Sequence, residues 1–198
     1  MKKRSTCLRC KRPSSVCYCH TIQLVDNHWP VHILQHRREA KHAIGTSAIA
    51  ALSLSHCQLQ VGESFTLQSM AMDVSKAVLV YPGEGAGTLD AVERGAPQTL
   101  VFMDASWRKS HRMLMESPEL QALPRVGLRL DQASRYRIRK SKFVASLSTV
   151  EAIVHCLAFL EQDKKKYLPL LHTMDWMIDK QISLMGAEVF ERNYLSKL

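Results

Sequence analysis

The sequence predicts an α/β fold built on a mainly parallel, buried sheet. Two observations carry this. Short continuous apolar runs occur at Val31-His32-Ile33-Leu34, Ala77-Val78-Leu79-Val80-Tyr81 and Thr99-Leu100-Val101-Phe102-Met103. Segments of helical periodicity lie between and after them. Runs that are apolar throughout, rather than alternating, belong to strands covered on both faces.

Residues 1–27 read as a cysteine-rich segment with little apolar content, and residues 28–198 as the main domain, starting near His28-Trp29-Pro30. After the first strand, His36-Arg37-Arg38-Glu39-Ala40-Lys41 is a polar loop. A helix is expected next, with Ile44, Ala48, Leu52 and Ser55 on one face. The second strand stops at Pro82-Gly83-Glu84-Gly85, the third at Asp104, and Arg125-Val126-Gly127-Leu128 is a candidate fourth. Ser148 and Glu151 have capping-box spacing. Behind them Val150, Ile153, Val154, Leu157 and Leu160 form a helical stripe. A last helix is expected over roughly 170–188, with Leu171, Met174, Ile178, Ile182 and Met185 inward.

The 198 residues suffice for one domain with a core, and 46% hydrophobic with 23% charged is an ordinary globular balance. No stretch approaches the roughly 18 uninterrupted apolar residues of a membrane helix, and the basic start lacks the apolar segment of a signal peptide. A cytoplasmic location is therefore expected, with no membrane partner and no evident obligate protein partner. The formal net charge of +9 favours a polyanionic partner.

Cys7, Cys10, Cys17 and Cys19 crowd into thirteen residues, while Cys57 and Cys156 stand apart in helix-like apolar stretches that suggest buried small hydrophobes. In a reducing compartment the cluster reads as metal ligands before disulfides. Four thiolates leave no position open for water, so a structural zinc site is expected; an iron–sulfur cluster and free thiols are the alternatives. Loss of the metal is expected to destabilise the N-terminal segment more than it alters ligand binding elsewhere.

Ligands of open parallel sheets sit beyond the carboxyl ends of the strands. Two loops there are unusual. Tyr81-Pro82-Gly83-Glu84-Gly85-Ala86 has glycines that permit close backbone approach, but it matches neither a dinucleotide fingerprint nor a P-loop. Asp104-Ala105-Ser106-Trp107-Arg108-Lys109 gathers a carboxylate, a hydroxyl, an indole and two cations. The bland reading makes Asp104 or Ser106 a helix cap and Trp107 core. Further on, Ser134-Arg135-Tyr136-Arg137-Ile138-Arg139-Lys140-Ser141-Lys142 alternates cations around a tyrosine. If extended, it would show Arg135, Arg137 and Arg139 on one side, a pattern suited to phosphate clamping with base stacking.

In order along the chain, the four cysteines, His36-Arg37-Arg38-Glu39, Tyr81–Ala86, Asp104–Lys109, Tyr136–Lys140 and Leu147-Ser148-Thr149-Val150-Glu151-Ala152 resemble the DTW-domain family of tRNA-uridine aminocarboxypropyltransferases. The resemblance covers about residues 7–160. The family signature is Asp-x-Thr/Ser-Trp, and Ser106 stands here where threonine is usual, retaining the hydroxyl. The resemblance implies a fold related to the knotted SPOUT-type S-adenosylmethionine-dependent RNA methyltransferases. It also implies transfer of the 3-amino-3-carboxypropyl group of S-adenosylmethionine to N3 of a tRNA uridine, releasing methylthioadenosine. A methyltransferase of the same type and a non-catalytic zinc-containing RNA-binding module are the alternative readings.

On that reading Asp104, Ser106 and Trp107 are the catalytic candidates, Asp104 acting as base or as a group orienting the donor. Tyr81, Pro82, Gly83, Glu84, Gly85, Leu147, Ser148, Thr149 and Glu151 are the donor-binding candidates. The last four lie at a helix start whose free amides suit the donor's adenine or carboxylate. Arg37, Arg38, Lys41, Arg108, Lys109, Arg112, Arg135, Arg137, Arg139 and Lys140 are the expected tRNA contacts.

Overall fold

A computed structural model describes residues 5–42, 44–66, 68–70, 73–92, 98–128, 134–138 and 147–195. Among the described residues six strands pair in one sheet: β1 (Val31–His36), β2 (Cys57–Gly62), β3 (Ala77–Val80), β4 (Gly87–Thr88), β5 (Thr99–Asp104) and β6 (Arg125–Gly127). Their order across the sheet is β2-β1-β5-β3-β6-β4, and every pairing is parallel. The helices are α1 (Ser47–Ser53), α2 (Trp107–Met115), α3 (Pro118–Gln121), α4 (Thr149–Leu160), α5 (Leu168–Met185) and α6 (Ala187–Phe190).

The apolar runs are buried because each strand feeds two cores at once, side chains alternating between faces. Val31, Ile33, Val78, Val80, Leu100 and Phe102 enter one core, with Val150, Ile153 and Leu157 of α4 and Leu170, Met174 and Ile178 of α5. Leu34, Leu79 and Val101 enter the other, against Met113 and Leu114 of α2 and Leu120 of α3.

The mainly parallel sheet expected from the apolar runs is present, and two of its strands were not foreseen. β2 is half-exposed and rich in glutamine, and β4 has two residues, so neither offers an apolar run. Cys57 belongs to β2 and not to a helix, and it is half-buried; Cys156 is fully buried on α4 as expected. The helix expected from residue 44 starts at Ser47, and its buried face is Ser47, Ile49, Ala50 and Ser53. Ala48 and Leu52 lie only half-buried beside it, so the foreseen stripe is off by a rotation about the helix axis. The helix expected over 170–188 is α5, which stops at Met185 because Gly186 after it has φ 84°, left-handed backbone that glycine takes without strain. The capping box is present: the Ser148 hydroxyl accepts from the Glu151 amide, and the Glu151 carboxylate accepts from the Ser148 amide.

Residues 5–27 join the main core. Tyr18 and Cys10 are buried in it, the Thr173 hydroxyl donates to the Thr21 carbonyl at 3.0 Å, and His20 meets Trp176 edge-on. Among the described residues, no helix is long and apolar enough to cross a membrane. Residues 129–133 and 139–146, between β6 and α4, lie outside the described residues.

Candidate active site and metal centre

All six strands run the same way, so their carboxyl ends share one edge of the sheet. A cavity of about 940 Å³ opens there, within the range of small-molecule sites. Its floor comes from strand ends: Val80, Tyr81 and Pro82 after β3, Phe102 to Asp104 of β5, and Val126 of β6. Its walls are His42 with Ile44, Gly45 and Thr46, the start of α2 at Ser106 and Trp107, the segment around Tyr136 and Ile138, and Leu147 to Thr149 at the start of α4.

Register places Asp104 beside Gln35, its partner on β1. In-register neighbours on parallel strands point to the same face, here the one covered by α1, α4 and α5. The Gln35 side-chain amide donates to Asp104 Oδ2 at 2.8 Å and to Ser47 Oγ at 2.6 Å, and the Thr149 hydroxyl donates to Asp104 Oδ1 at 2.6 Å. Both carboxylate oxygens are thus oriented, and Asp104 still lines the cavity. The bland reading of the strand end holds for the position of Ser106 and fails for Asp104 and for Trp107. Asp104 caps no helix. Ser106 takes the cap position of α2, yet its side chain makes no capping bond. Trp107 is 46% exposed at the cavity wall, its ring 5.9 Å from that of Tyr81.

The donor-site candidates separate. Tyr81, Pro82, Leu147, Ser148 and Thr149 line the cavity; Gly83, Glu84 and Gly85 form an exposed turn beyond it. Glu151 is buried behind the wall. Its carboxylate accepts from the Arg135 amide at 2.6 Å, the Ser134 hydroxyl at 2.8 Å, and the Ser148 amide and hydroxyl at 2.8 and 2.7 Å. Amides at the start of α4 already have acceptors: that of Ser148 on Glu151, that of Val150 on Thr46 and that of Glu151 on Ser148.

The cations fall into two groups. Arg37, Arg38 and Arg108 are exposed at the carboxyl edge and, among the described residues, have no ion-pair partner. Lys109 pairs with Glu39 at 2.7 Å and Arg112 with Glu116 at 2.7 Å. Arg135 and Arg137 pair with Asp175 and Asp179, one turn apart on α5. Their segment is a bend followed by a turn, not an extended strand, though both arginines do lie on one side. The Tyr136 hydroxyl donates to the Ile44 carbonyl, so its ring is a cavity wall. Arg139, Lys140 and the Lys41 side chain lie outside the described residues. Gln35 and Ser47 were not among the expected site residues, and Tyr136 was expected as a base-stacking face rather than a cavity wall. The signal for Gln35 was a polar side chain at the carboxyl end of a buried strand.

The four sulfurs of Cys7, Cys10, Cys17 and Cys19 lie within 4.8 Å of one another. Cys7 and Cys19 are 3.7 Å apart, as are Cys10 and Cys17. A disulfide requires about 2.05 Å. A tetrahedral ion about 2.3 Å from each sulfur sets sulfur–sulfur separations of about 3.8 Å, so the arrangement fits one metal ion. Backbone amides of Cys10 and Arg9 draw the Cys7 thiol down to about 6, while burial pushes Cys19 up to about 12. A divalent ion would supply the charge that holds the buried thiols deprotonated.

The profile of the DTW domain matches residues 4–182. The chain belongs to the DTW-domain family. It is 30% identical to tRNA-uridine aminocarboxypropyltransferase 2 of Drosophila melanogaster, over 98% of this chain and 82% of that protein. It is 26% identical to the protein of the same name from Macaca fascicularis, over 95% of this chain and 67% of that one. It is 22% identical to tRNA-uridine aminocarboxypropyltransferase A of Arabidopsis thaliana, over 87% of this chain and 80% of that protein.

Proposed function

We propose that this chain transfers the 3-amino-3-carboxypropyl group of S-adenosylmethionine to N3 of a uridine in tRNA. The relatives' names give the group and the acceptor. The observation that carries the reading is Asp104, a carboxylate fixed by two donors on the wall of a cavity lined by Tyr81, Trp107 and Tyr136. The expected donor also fits what the cavity offers: aromatic and aliphatic walls for an adenosine, with polar side chains such as Glu39, Asp104, Ser106 and Thr149 to orient it. S-adenosylmethionine supplies an electrophilic carbon attached to a sulfonium.

Asp104 takes the uridine N3 proton as that nitrogen bonds to the donor carbon, and the carbon–sulfur bond breaks to leave methylthioadenosine. General-base help of this kind contributes about 10²–10⁴-fold. Gln35 and Thr149 keep the carboxylate aimed; Tyr81, Trp107 and Tyr136 exclude water from the cavity. Arg37, Arg38 and Arg108, without an ion-pair partner among the described residues, hold tRNA phosphates. Cys7, Cys10, Cys17 and Cys19 hold one zinc ion that cross-links the N-terminal segment, taking no part in the chemistry. The knotted arrangement of the SPOUT-type enzymes belongs to the same proposal, as does action in the cytoplasm.

Two measurements test this. Mass spectrometry of tRNA nucleosides should show 3-(3-amino-3-carboxypropyl)uridine only when the protein is present, with methylthioadenosine as the co-product. S-adenosylhomocysteine and a methylated nucleoside would replace the proposal with methyl transfer. Metal analysis should find about one zinc per chain.

A further inference from the structure

Between the paired cysteines the chain turns sharply. The Lys11 amide donates to the Cys7 carbonyl at 3.0 Å, the Cys7 amide donates to the Arg12 carbonyl at 2.8 Å, and Lys11 sits at φ 59°. The backbone of Arg12 is thereby tied to the metal centre. Its side chain leaves that centre. Arg12 Nη1 donates to the His42 carbonyl at 3.0 Å and Nη2 to the Gly45 carbonyl at 2.9 Å. A guanidinium carries two such bonds at once from one rigid plane, which a lysine cannot do.

The gripped loop is a wall of the cavity. His42, Ile44, Gly45 and Thr46 all line it. Tyr136 holds the loop from the other side at Ile44, and the loop leads directly into Ser47, whose hydroxyl accepts from the Gln35 amide that also holds Asp104. A continuous path of packed backbone and hydrogen bonds therefore runs from the cysteine cluster through Arg12 to the reacting end of the cavity.

We infer that Arg12 is a positioning residue through which metal occupancy of the four-cysteine site sets the wall of His42, Ile44, Gly45 and Thr46, and with it donor affinity. The metal centre then does more than stabilise its own segment, contrary to the expectation from sequence. The donor half of this inference rests on the proposed function; the loop half does not.

The test uses the full metal-loaded chain, with Arg12→Met and Arg12→Lys beside it. Metal content, melting temperature, amide exchange over residues 39–47 and S-adenosylmethionine affinity by calorimetry are measured for each, before and after chelation. Arg12→Met should keep its metal, yet exchange faster at the loop and bind the donor about tenfold more weakly. Arg12→Lys should fall between. Chelating the wild type should reproduce both losses, whereas chelating Arg12→Met should add nothing at the loop, because the path is already cut. Loop exchange and affinity within about twofold of wild type in metal-loaded Arg12→Met would overturn the inference. So would a chelation effect on the loop that is equal in both proteins. Should Arg12→Met fail to fold, Arg12→Lys decides by the same criteria. A wild type that binds no S-adenosylmethionine overturns the donor reading, and loop exchange still decides the role of Arg12.

Discussion

Asp104 accepts two hydrogen bonds, from Gln35 and Thr149, and lines the cavity. Glu151, in the first turn of α4, accepts four, from Ser134, Arg135 and both the amide and hydroxyl of Ser148, and lies buried outside it. A carboxylate has about four lone-pair sites. Glu151 has used its capacity on joining the 134–138 segment to the start of α4. Asp104 keeps capacity in reserve on the side where a substrate would sit. Under the proposed function the two acidic residues do different work, Asp104 to react and Glu151 to hold.

Asp104→Asn tests the first half of that comparison and should have the largest effect. The Asn carbonyl can still accept from Gln35, and the Thr149 hydroxyl can turn to accept from the new amide, so the melting temperature should barely move. An amide is no base near neutral pH, and single-turnover product formation should fall about 10²-fold or more. If Asp104 instead grips the donor's ammonium, donor affinity should fall and turnover at saturation should survive. Near-wild-type values of both would remove Asp104 from the mechanism.

Glu151→Gln tests the second half. One carbonyl oxygen cannot satisfy four donors, and the new amide faces groups that already donate. A stability loss of about 2 kcal/mol is expected from buried donors left unmatched. Donor affinity should fall only in step with the loosened 134–138 segment. A variant as stable as wild type would show that the four bonds are incidental.

Gln35→Leu sharpens the comparison by removing one of the two bonds that aim Asp104. Side-chain size is nearly kept, and the Ser47 hydroxyl loses the same donor. Product formation at saturating substrate should fall about tenfold, since a misaimed base costs turnover more than binding. An unchanged rate would show that Thr149 alone aims the carboxylate.

The legible part of this molecule was the part fixed by local chemistry. β1, β3 and β5 announce themselves because a strand buried on both faces must be apolar throughout, and the capping box is a pattern of adjacent residues. The cysteine spacing gave the cluster for the same reason. β2 was not legible, since an edge strand facing water on one side carries Gln58 and Gln60 without penalty. The α1 face was misjudged because Ser47 and Ser53 are buried, Ser47 by accepting from Gln35, and a hydroxyl on the inner face hides the stripe. Asp104 was visible as an unusual strand end. Gln35 was not singled out, because its role depends on register with a strand nearly seventy residues away.

The cations show the same limit and supply the smallest predicted effect. Alternation marked Arg135 and Arg137 as a phosphate-binding pair, but nothing local reveals Asp175 and Asp179 forty residues on. Each phosphate taken by these arginines must displace an internal carboxylate, whereas Arg37, Arg38 and Arg108 carry no such cost. Asp179→Asn frees Arg137 from its partner. Because the pair is more than half exposed on both sides, its strength is that of a surface ion pair, about 0.2–1 kcal/mol. The variant should therefore bind tRNA about twofold to fivefold more tightly at low salt, with a steeper dependence of affinity on salt as one more phosphate is neutralised. Asp179→Asn combined with Arg137→Ala should lose that gain. Weaker tRNA binding by Asp179→Asn would mean instead that the ion pair holds Arg137 in the conformation RNA requires, and that the pairing with α5 prepares the arginine for phosphate instead of competing with it.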